Sequence, residues 1–324
     1  MTFERTMTAD LPQDTRTGLS TLPTDGTGAA EGRSPEPLPR DVAAGDAFRH
    51  LAAELLSSLA AHRPAAMAGE MDGVHGMRIG TRRLRALLAL FHPCLAPEPE
   101  ARFNAALRRF AAFLGEVRDW DVFLAETLPR AGPAAEGLRL AAEAARRAAR
   151  DRMESELRNP ATKEMFDSFL SWAADPAALS GDVGGGSLAG PLRNLLPGLL
   201  DRLARKGLQR GRHIRRRSDD ELHHLRKALK RLRYAVEFVA FLHKEKRVAA
   251  YLRRLKRLQE KLGGLNDAAV ADTLARRLAE GDRALAPAAA AVSAWAERQG
   301  EEARRDLRKG WREFRDAELP PPAG

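Results

Sequence analysis

The chain has 324 residues, with 54 Lys plus Arg against 44 Asp plus Glu, a formal net charge of +10, and 44% hydrophobic residues. No apolar run approaches the roughly 20 residues of a membrane helix, so a spanning protein is not expected. A lone Cys94 excludes an intramolecular disulfide framework and a Cys-based zinc site. With no basic stretch followed by an apolar core at the N-terminus, we expect a reduced, cytoplasmic protein with an anionic partner.

Residues 1–40 are rich in Thr, Pro, Gly and Ser and read as a disordered tail. They hold four Arg against six acidic residues, a net of −2, so residues 41–324 carry +12. From residue 41 onward Ala, Leu, Arg and Glu dominate, and apolar residues recur at three- and four-residue spacing, as in Leu107, Phe110, Leu114 and in Leu255, Leu258, Leu262. Val and Ile are scarce and nothing alternates like a strand. The expectation is all-α, roughly ten helices and no sheet. A first half at 41–175 is followed by a Gly-rich linker at 176–190 that contains Gly184-Gly185-Gly186. A second half at 191–318 is followed by a proline-rich, disordered C-terminal tail at 319–324.

The halves share a repeat. Residues 75–85 and 223–233 both fit H-x-x-R-x-x-x-[RK]-R-L-R, at an offset of 148. Leu114-Gly115-Glu116-Val117-Arg118-Asp119 matches Leu262-Gly263-Gly264-Leu265-Asn266-Asp267, and Leu107-Arg108-Arg109-Phe110 matches Leu255-Lys256-Arg257-Leu258, at the same offset. A biased composition alone would not fix one register three times. Two homologous helical halves related by a pseudo-twofold axis are therefore expected.

At 100° per residue, His75, Arg78, Arg82 and Arg85 share a sector of about 80°, while Met77, Leu84, Leu88 and Phe91 take the opposite face. His223, Arg226, Lys230 and Arg233 repeat that face, opposite Leu225, Leu232, Val236 and Val239. Each helix thus packs one side into a core and presents one imidazole and three cations on the other. Like charges at i,i+4 destabilise a helix by about 0.2–0.5 kcal/mol, a cost that makes sense when an anion lies against them. A phosphate can take bidentate hydrogen bonds from each Arg, worth about 1.5–3 kcal/mol apiece. Flanking cations, Arg108 and Arg109 with Lys256 and Arg257, also recur. The run Arg202, Lys206, Arg210, Arg212, Arg215, Arg216 and Arg217 has no first-half counterpart and reads as less specific, a solvated connector being the plain alternative.

Other chemistry is set aside. Asp72-x-x-His75 and Glu221-x-x-His224 differ in register and lack partner glutamates for a di-metal site. Ser218 with Glu221 reads as a capping box, and Asp72 as the cap of the first basic helix. Asp119 and Asp267 are expected to cap a following helix or to hold basic side chains. Trp120, Trp172, Trp295 and Trp311 belong to the core, and Cys94 has no base partner. There is no Walker loop, nucleophile elbow or dinucleotide fingerprint, so no metal, no cofactor and no catalysis are expected.

The duplicated His-x-x-Arg and Arg-Arg-Leu-Arg elements, paired with Leu-Gly-x-x-Arg-Asp, resemble the CHAD family, the conserved-histidine α-helical domain. The segment from Leu222 to Phe238 is especially similar, and the resemblance covers about 41–318. It implies two pseudo-symmetric helical bundles facing one another across a basic channel that binds inorganic polyphosphate, and association with polyphosphate granules. The matching positions are His75, Arg78, Arg82, Arg83 and Arg85, then His223, Arg226, Lys230, Arg231 and Arg233. Asn266 departs from the pattern where the first half has Arg118. No acidic strand marks an adjoining triphosphatase domain. The expected function is non-catalytic polyphosphate binding. A nucleic-acid-binding protein is the alternative, although neither basic face carries Asn, Gln or aromatic residues for reading bases. A phosphohydrolase using His75 and His223 is a third, less favoured reading.

Overall fold

The computed structural model describes residues 38–179 and 188–321. The expectations for most of the N-terminal tail, for the glycine-rich part of the linker and for residues 322–324 lie outside the described residues. Among the described residues there are eleven α-helices and no strand. The helices are α1 (Ala44–Met67), α2 (Met71–Phe91), α3 (Pro97–Val122), α4 (Leu128–Ala131), α5 (Arg139–Arg158), α6 (Pro160–Ala174) and α7 (Pro176–Leu179), then α8 (Leu192–Arg210), α9 (Asp219–Phe238), α10 (Glu245–Gly281) and α11 (Ala286–Arg315).

Local chemistry sets the boundaries. Ser218 accepts from the Glu221 backbone N–H at 3.3 Å while the Glu221 carboxylate accepts from the Ser218 N–H at 2.9 Å, the expected capping box. The other helix differs from expectation: the residue before α2 is Glu70, no side chain caps it, and Asp72 lies inside the first turn. The reason is the turn before it. Gly69, at φ 77°, closes α1, and the Glu70 N–H donates back to the Ala65 carbonyl at 2.9 Å, so α2 starts at once and Asp72 has no capping position left. Asp72 still sits near the positive end of the helix dipole.

The 148-residue offset reappears in three dimensions. Helices α1 and α8 begin 148 residues apart, and so do α2 and α9, and α3 and α10. The short 3-10 turns His92–Cys94 and Ala240–Leu242 keep the same offset. Where the two segments meet, the Ala44 N–H donates to Gly190 at 2.9 Å and the Leu192 N–H donates to Val42 at 2.8 Å. Shifting either bond by 148 residues gives the other. The segments diverge later: α5 and α6 are divided at Asn159-Pro160, where the Asn159 side chain caps α6, whereas α11 runs unbroken for 30 residues.

Packing follows the helical periodicity. Met77, Leu84, Leu88 and Phe91 on α2, and Leu225, Leu232, Val236 and Val239 on α9, are all buried. The rings of Phe48, Phe91, Phe103, Phe169 and Trp172 form a cluster with centroids 5.1–5.8 Å apart. All four tryptophans are buried, as expected. Helix α2 packs on α1, α3 and α9, which turns its basic face toward α9. Residues 319–321 correct the expected tail: Pro320 is buried and the His243 Nδ1–H donates to the Pro321 carbonyl at 2.9 Å.

The α1–α2 approach leaves no room for a side chain at Gly73, since a Cβ there would be driven into the backbone at Ala65 and Ala66. Gly73→Ala should therefore lower the unfolding free energy by about 1–3 kcal/mol. Gly300→Ala, inside α11 with nothing within 4 Å of the added carbon, should raise it by about 1 kcal/mol. Urea titration of both variants checks the opposite signs.

Candidate functional site

Helices α2 and α9 bring the two basic faces together at their crossing. Lys230 on α9 is half-buried among the guanidinium groups of Arg78 and Arg82 from α2 and Arg226 and Arg233 from its own helix. Burial, and then repulsion from these four cations with Arg82 first, pushes its amine down to about 6. The side chain is therefore mostly neutral at pH 7. Arg82 holds the position 148 residues before Lys230, and its Nη2 donates to the Tyr234 hydroxyl at 3.1 Å. The Nε atoms of Arg82 and Arg226 are buried without a hydrogen-bond partner.

Two carboxylates face this cluster in matching positions. Arg78 Nη2 lies 3.8 Å from Asp119 Oδ1, and Arg226 Nη2 lies 3.9 Å from Asp267 Oδ1. Both aspartates sit inside α3 and α10, so they hold basic side chains and cap no helix. These distances are too long for hydrogen bonds, which leaves guanidinium N–H groups available to a better acceptor. Burial raises the pKa of Asp119, Asp267 adds to the rise, and Arg78 and Arg226 oppose it. The two carboxylates are thus close enough to repel one another.

The remaining residues divide into four groups. His75 and His223 lie half-buried at matching positions. His223 Nδ1 is 2.6 Å from Asn266 Oδ1, so the ring donates there, while burial and then Lys227 lower its pKa. Arg85 and Arg231 lie at the edge of the crossing. The Arg85 Nε donates to Asn104 Oδ1 at 3.2 Å, and Arg231 lines a cavity of about 170 Å³. Arg83 lies over the rings of Phe238 (5.2 Å) and Tyr234 (5.8 Å), and Arg233 lies over Tyr234 (5.0 Å) and 3.3 Å from Glu237. Arg108, Arg109, Lys256 and Arg257 are exposed on α3 and α10. Arg257 is turned toward Glu313 on α11 at 3.5 Å, away from the crossing.

Some contributors were undervalued by sequence. Arg118, beside Arg78 and Asp119, adds a cation to the first-half side of the cluster. The Arg202–Arg217 run is not merely a connector: Arg202 on α8 donates to the Leu90 carbonyl at 3.2 Å and to Ala89, closing the C-terminal turn of α2. The signal was the i, i+4, i+8 spacing of Arg202, Lys206 and Arg210. Among the described residues, no group of three or more His, Cys, Asp or Glu side chains is arranged to hold a metal ion, and no helix is long and apolar enough to cross a membrane.

The family model described as the CHAD domain matches residues 50–276. The crystal structure of the CHAD domain from the plant Ricinus communis is similar at a TM-score of 0.79 and 28% identity, covering 88% of this chain and 96% of that one. PptA from Streptomyces chartreusis is similar at a TM-score of 0.64 and 19% identity, covering 83% and 98%, and bears on the fold alone. No curated protein matches the chain.

The Lys230 environment predicts a pH-dependent cost. A lysine whose folded pKa lies below its ordinary value near 10.5 destabilises the fold as pH falls through that value. The penalty is absent at higher pH, grows down to about 6, and is complete below. Lys230→Met should stabilise the protein by about 1–4 kcal/mol at pH 7, with the gain shrinking toward pH 10.5. Denaturant unfolding at neutral and alkaline pH checks both parts.

Proposed function

The chain belongs to the CHAD domain family, and on that premise we propose that it binds inorganic polyphosphate without acting on it catalytically. The observation that carries this reading is the crossing of α2 and α9. There Arg78, Arg82, Arg226 and Arg233 surround a lysine driven neutral at pH 7 by burial and by their own charge. A solvated basic face would disperse such charges, and a fold selected for stability alone would not converge them. A linear chain with roughly one negative charge per phosphate supplies closely spaced acceptors. Arg78 and Arg226, held only loosely by Asp119 and Asp267, can turn N–H groups onto it. Each neutralised phosphate releases condensed counterions, so binding weakens steeply with salt, by an argument derived for nucleic acids that applies to any dense polyanion.

The shared 148-residue register of α1–α3 and α8–α10 supports an internal duplication, with the two halves facing across a basic channel. The non-catalytic reading rests on the character of the groups that face the crossing. They are cations that hold charge in place, and each of the two carboxylates there lies beside a guanidinium, Asp119 3.8 Å from Arg78 and Asp267 3.9 Å from Arg226. With polyphosphate as ligand, the corresponding location is the cytoplasm, at polyphosphate granules. Nucleic acid is the alternative partner. Against it, the Tyr234 and Phe238 rings beside the cations are buried, Tyr234 beneath Arg83 and Arg233 and Phe238 beneath Arg83, and offer no platform for a base.

Substituting Arg82→Ala together with Lys230→Ala should weaken long-chain polyphosphate binding by about tenfold or more. The slope of log affinity against log salt should flatten by about one to two units. Fluorescence anisotropy across a salt series measures both, with circular dichroism confirming the fold. Unchanged affinity in the folded double variant would remove the assigned site. In direct competition at fixed ionic strength, polyphosphate should displace DNA and RNA, and the reverse order would favour the nucleic-acid reading.

A further inference from the structure

The two halves share a register, but their flanks do not share a charge. On one side of the crossing, the cavity of about 170 Å³ lies between the end of α2, α3, α8 and α9 and is lined by Arg202, Lys206 and Arg231, with His92, Glu100 and Asn104. Its one carboxylate, Glu100, is 5% exposed, lies 3.2 Å from His92 Nδ1 and favours the charged forms of Arg202 and Arg231, one negative charge against three cations. The cations reach one another. Lys206 is disfavoured in its charged form by burial and then by Arg210, Arg231 and Arg202, and Lys227 by burial and then by Arg231, Arg85, Arg226 and Arg210. Arg226 also belongs to the crossing itself, so the basic surface is continuous from Lys230 out to Arg210.

The positions 148 residues earlier carry none of this. Arg202, Lys206, Arg210 and Lys227 correspond to Glu54, Ser58, His62 and Ile79. Glu54 pairs with His50 at 3.1 Å. Arg233, the counterpart of Arg85, lies 3.3 Å from Glu237, which replaces Ala89, and Arg83, the counterpart of Arg231, lies against the Phe238 and Tyr234 rings. One exit from the crossing is a cationic arm. The matching exit has lost its cations, gained carboxylates and covered what charge remains.

We propose that the polyanion runs one way: from the α2–α9 crossing over α8, along Arg231, Lys206 and Arg210, with no equivalent path over α1. This deepens the polyphosphate reading and rests on it. A low-dielectric wall lined by one sign of charge focuses its field outward, so the arm attracts further phosphates of a chain already held at the crossing. The arm therefore discriminates by length. A chain that extends beyond the crossing gains from it, and a short oligophosphate held at the crossing does not.

The test compares long-chain polyphosphate with tripolyphosphate by titration calorimetry on the full chain. Lys206→Ala with Arg210→Ala removes two cations of the arm, with the Arg210 hydrogen bond to the His224 carbonyl at 3.0 Å, and leaves the side chains of the crossing and the Arg202 contact to α2 in place. Long-chain affinity should fall about tenfold or more, the salt slope should flatten by about one to two units, and tripolyphosphate affinity should be unchanged. Ser58→Ala, at the counterpart position on α1, should alter neither ligand, while Ser58→Lys should raise long-chain affinity by restoring a cation there. Unchanged long-chain binding in the folded Lys206/Arg210 variant, or equal losses for both ligands, would overturn the one-way path while the polyphosphate reading stands. Failure of the unaltered chain to bind either ligand would instead overturn that reading and this inference with it.

Discussion

The α2–α9 crossing forces positive charge into a space with too little negative charge to balance it. Arg78, Arg82, Arg226, Lys230 and Arg233 meet there, opposed by Asp119 at 3.8 Å from Arg78, Asp267 at 3.9 Å from Arg226 and Glu237 at 3.3 Å from Arg233. In the partly buried setting of two packed helices, Coulomb interactions are several times stronger than in bulk water. The system responds by giving up a proton, so that Lys230 rests near neutrality. The surrounding fold must be stable enough to carry this strain. It draws that stability from the apolar faces of the same two helices, where Leu84, Leu88, Leu225 and Leu232 are fully buried.

The shared 148-residue register makes this convergence economical. The same helical pattern, one imidazole and three cations opposite an apolar stripe, occurs on α2 and on α9, and packing α2 on α9 brings the two sets of charge together. The departures from symmetry are then informative. Asn266, where the first half has Arg118, ties down His223 through its amide and removes one cation. Glu54 and Ser58, where the second half has Arg202 and Lys206, strip one flank of charge while α8 keeps it. Such changes leave the helices intact because they fall on faces that the core does not use.

Much of this was legible in the sequence, for physical reasons that differ by residue. The buried and basic faces of α2 and α9 follow from the 100° rotation per residue, and the Ser218–Glu221 box follows from a spacing that few other arrangements share. The start of α2 was misread because an Asp in a first turn looks like a cap in sequence, and only the Gly69 turn decides otherwise. The neutrality of Lys230 was invisible, since it depends on guanidinium groups from two helices whose crossing no local pattern specifies. Arg257 shares a repeated position with Arg109, yet Glu313 on a helix far along the chain draws it aside. The weight of Arg202 was missed for the same reason: its acceptors are carbonyls more than a hundred residues away, at the end of α2. Spacing predicts which face a side chain occupies, and tertiary packing decides what meets it there.

The central claim is that this charge cluster is completed by a polyanion, which restores the proton that Lys230 has given up. Titration calorimetry of long-chain polyphosphate at pH 7, in two buffers of widely different ionisation enthalpy, tests it most directly. Phosphate beside Lys230 should return its pKa above neutrality, so binding should take up protons and the observed heat should differ between the buffers in proportion to their ionisation enthalpies. Identical heats in both buffers, or no binding in either, would contradict the account.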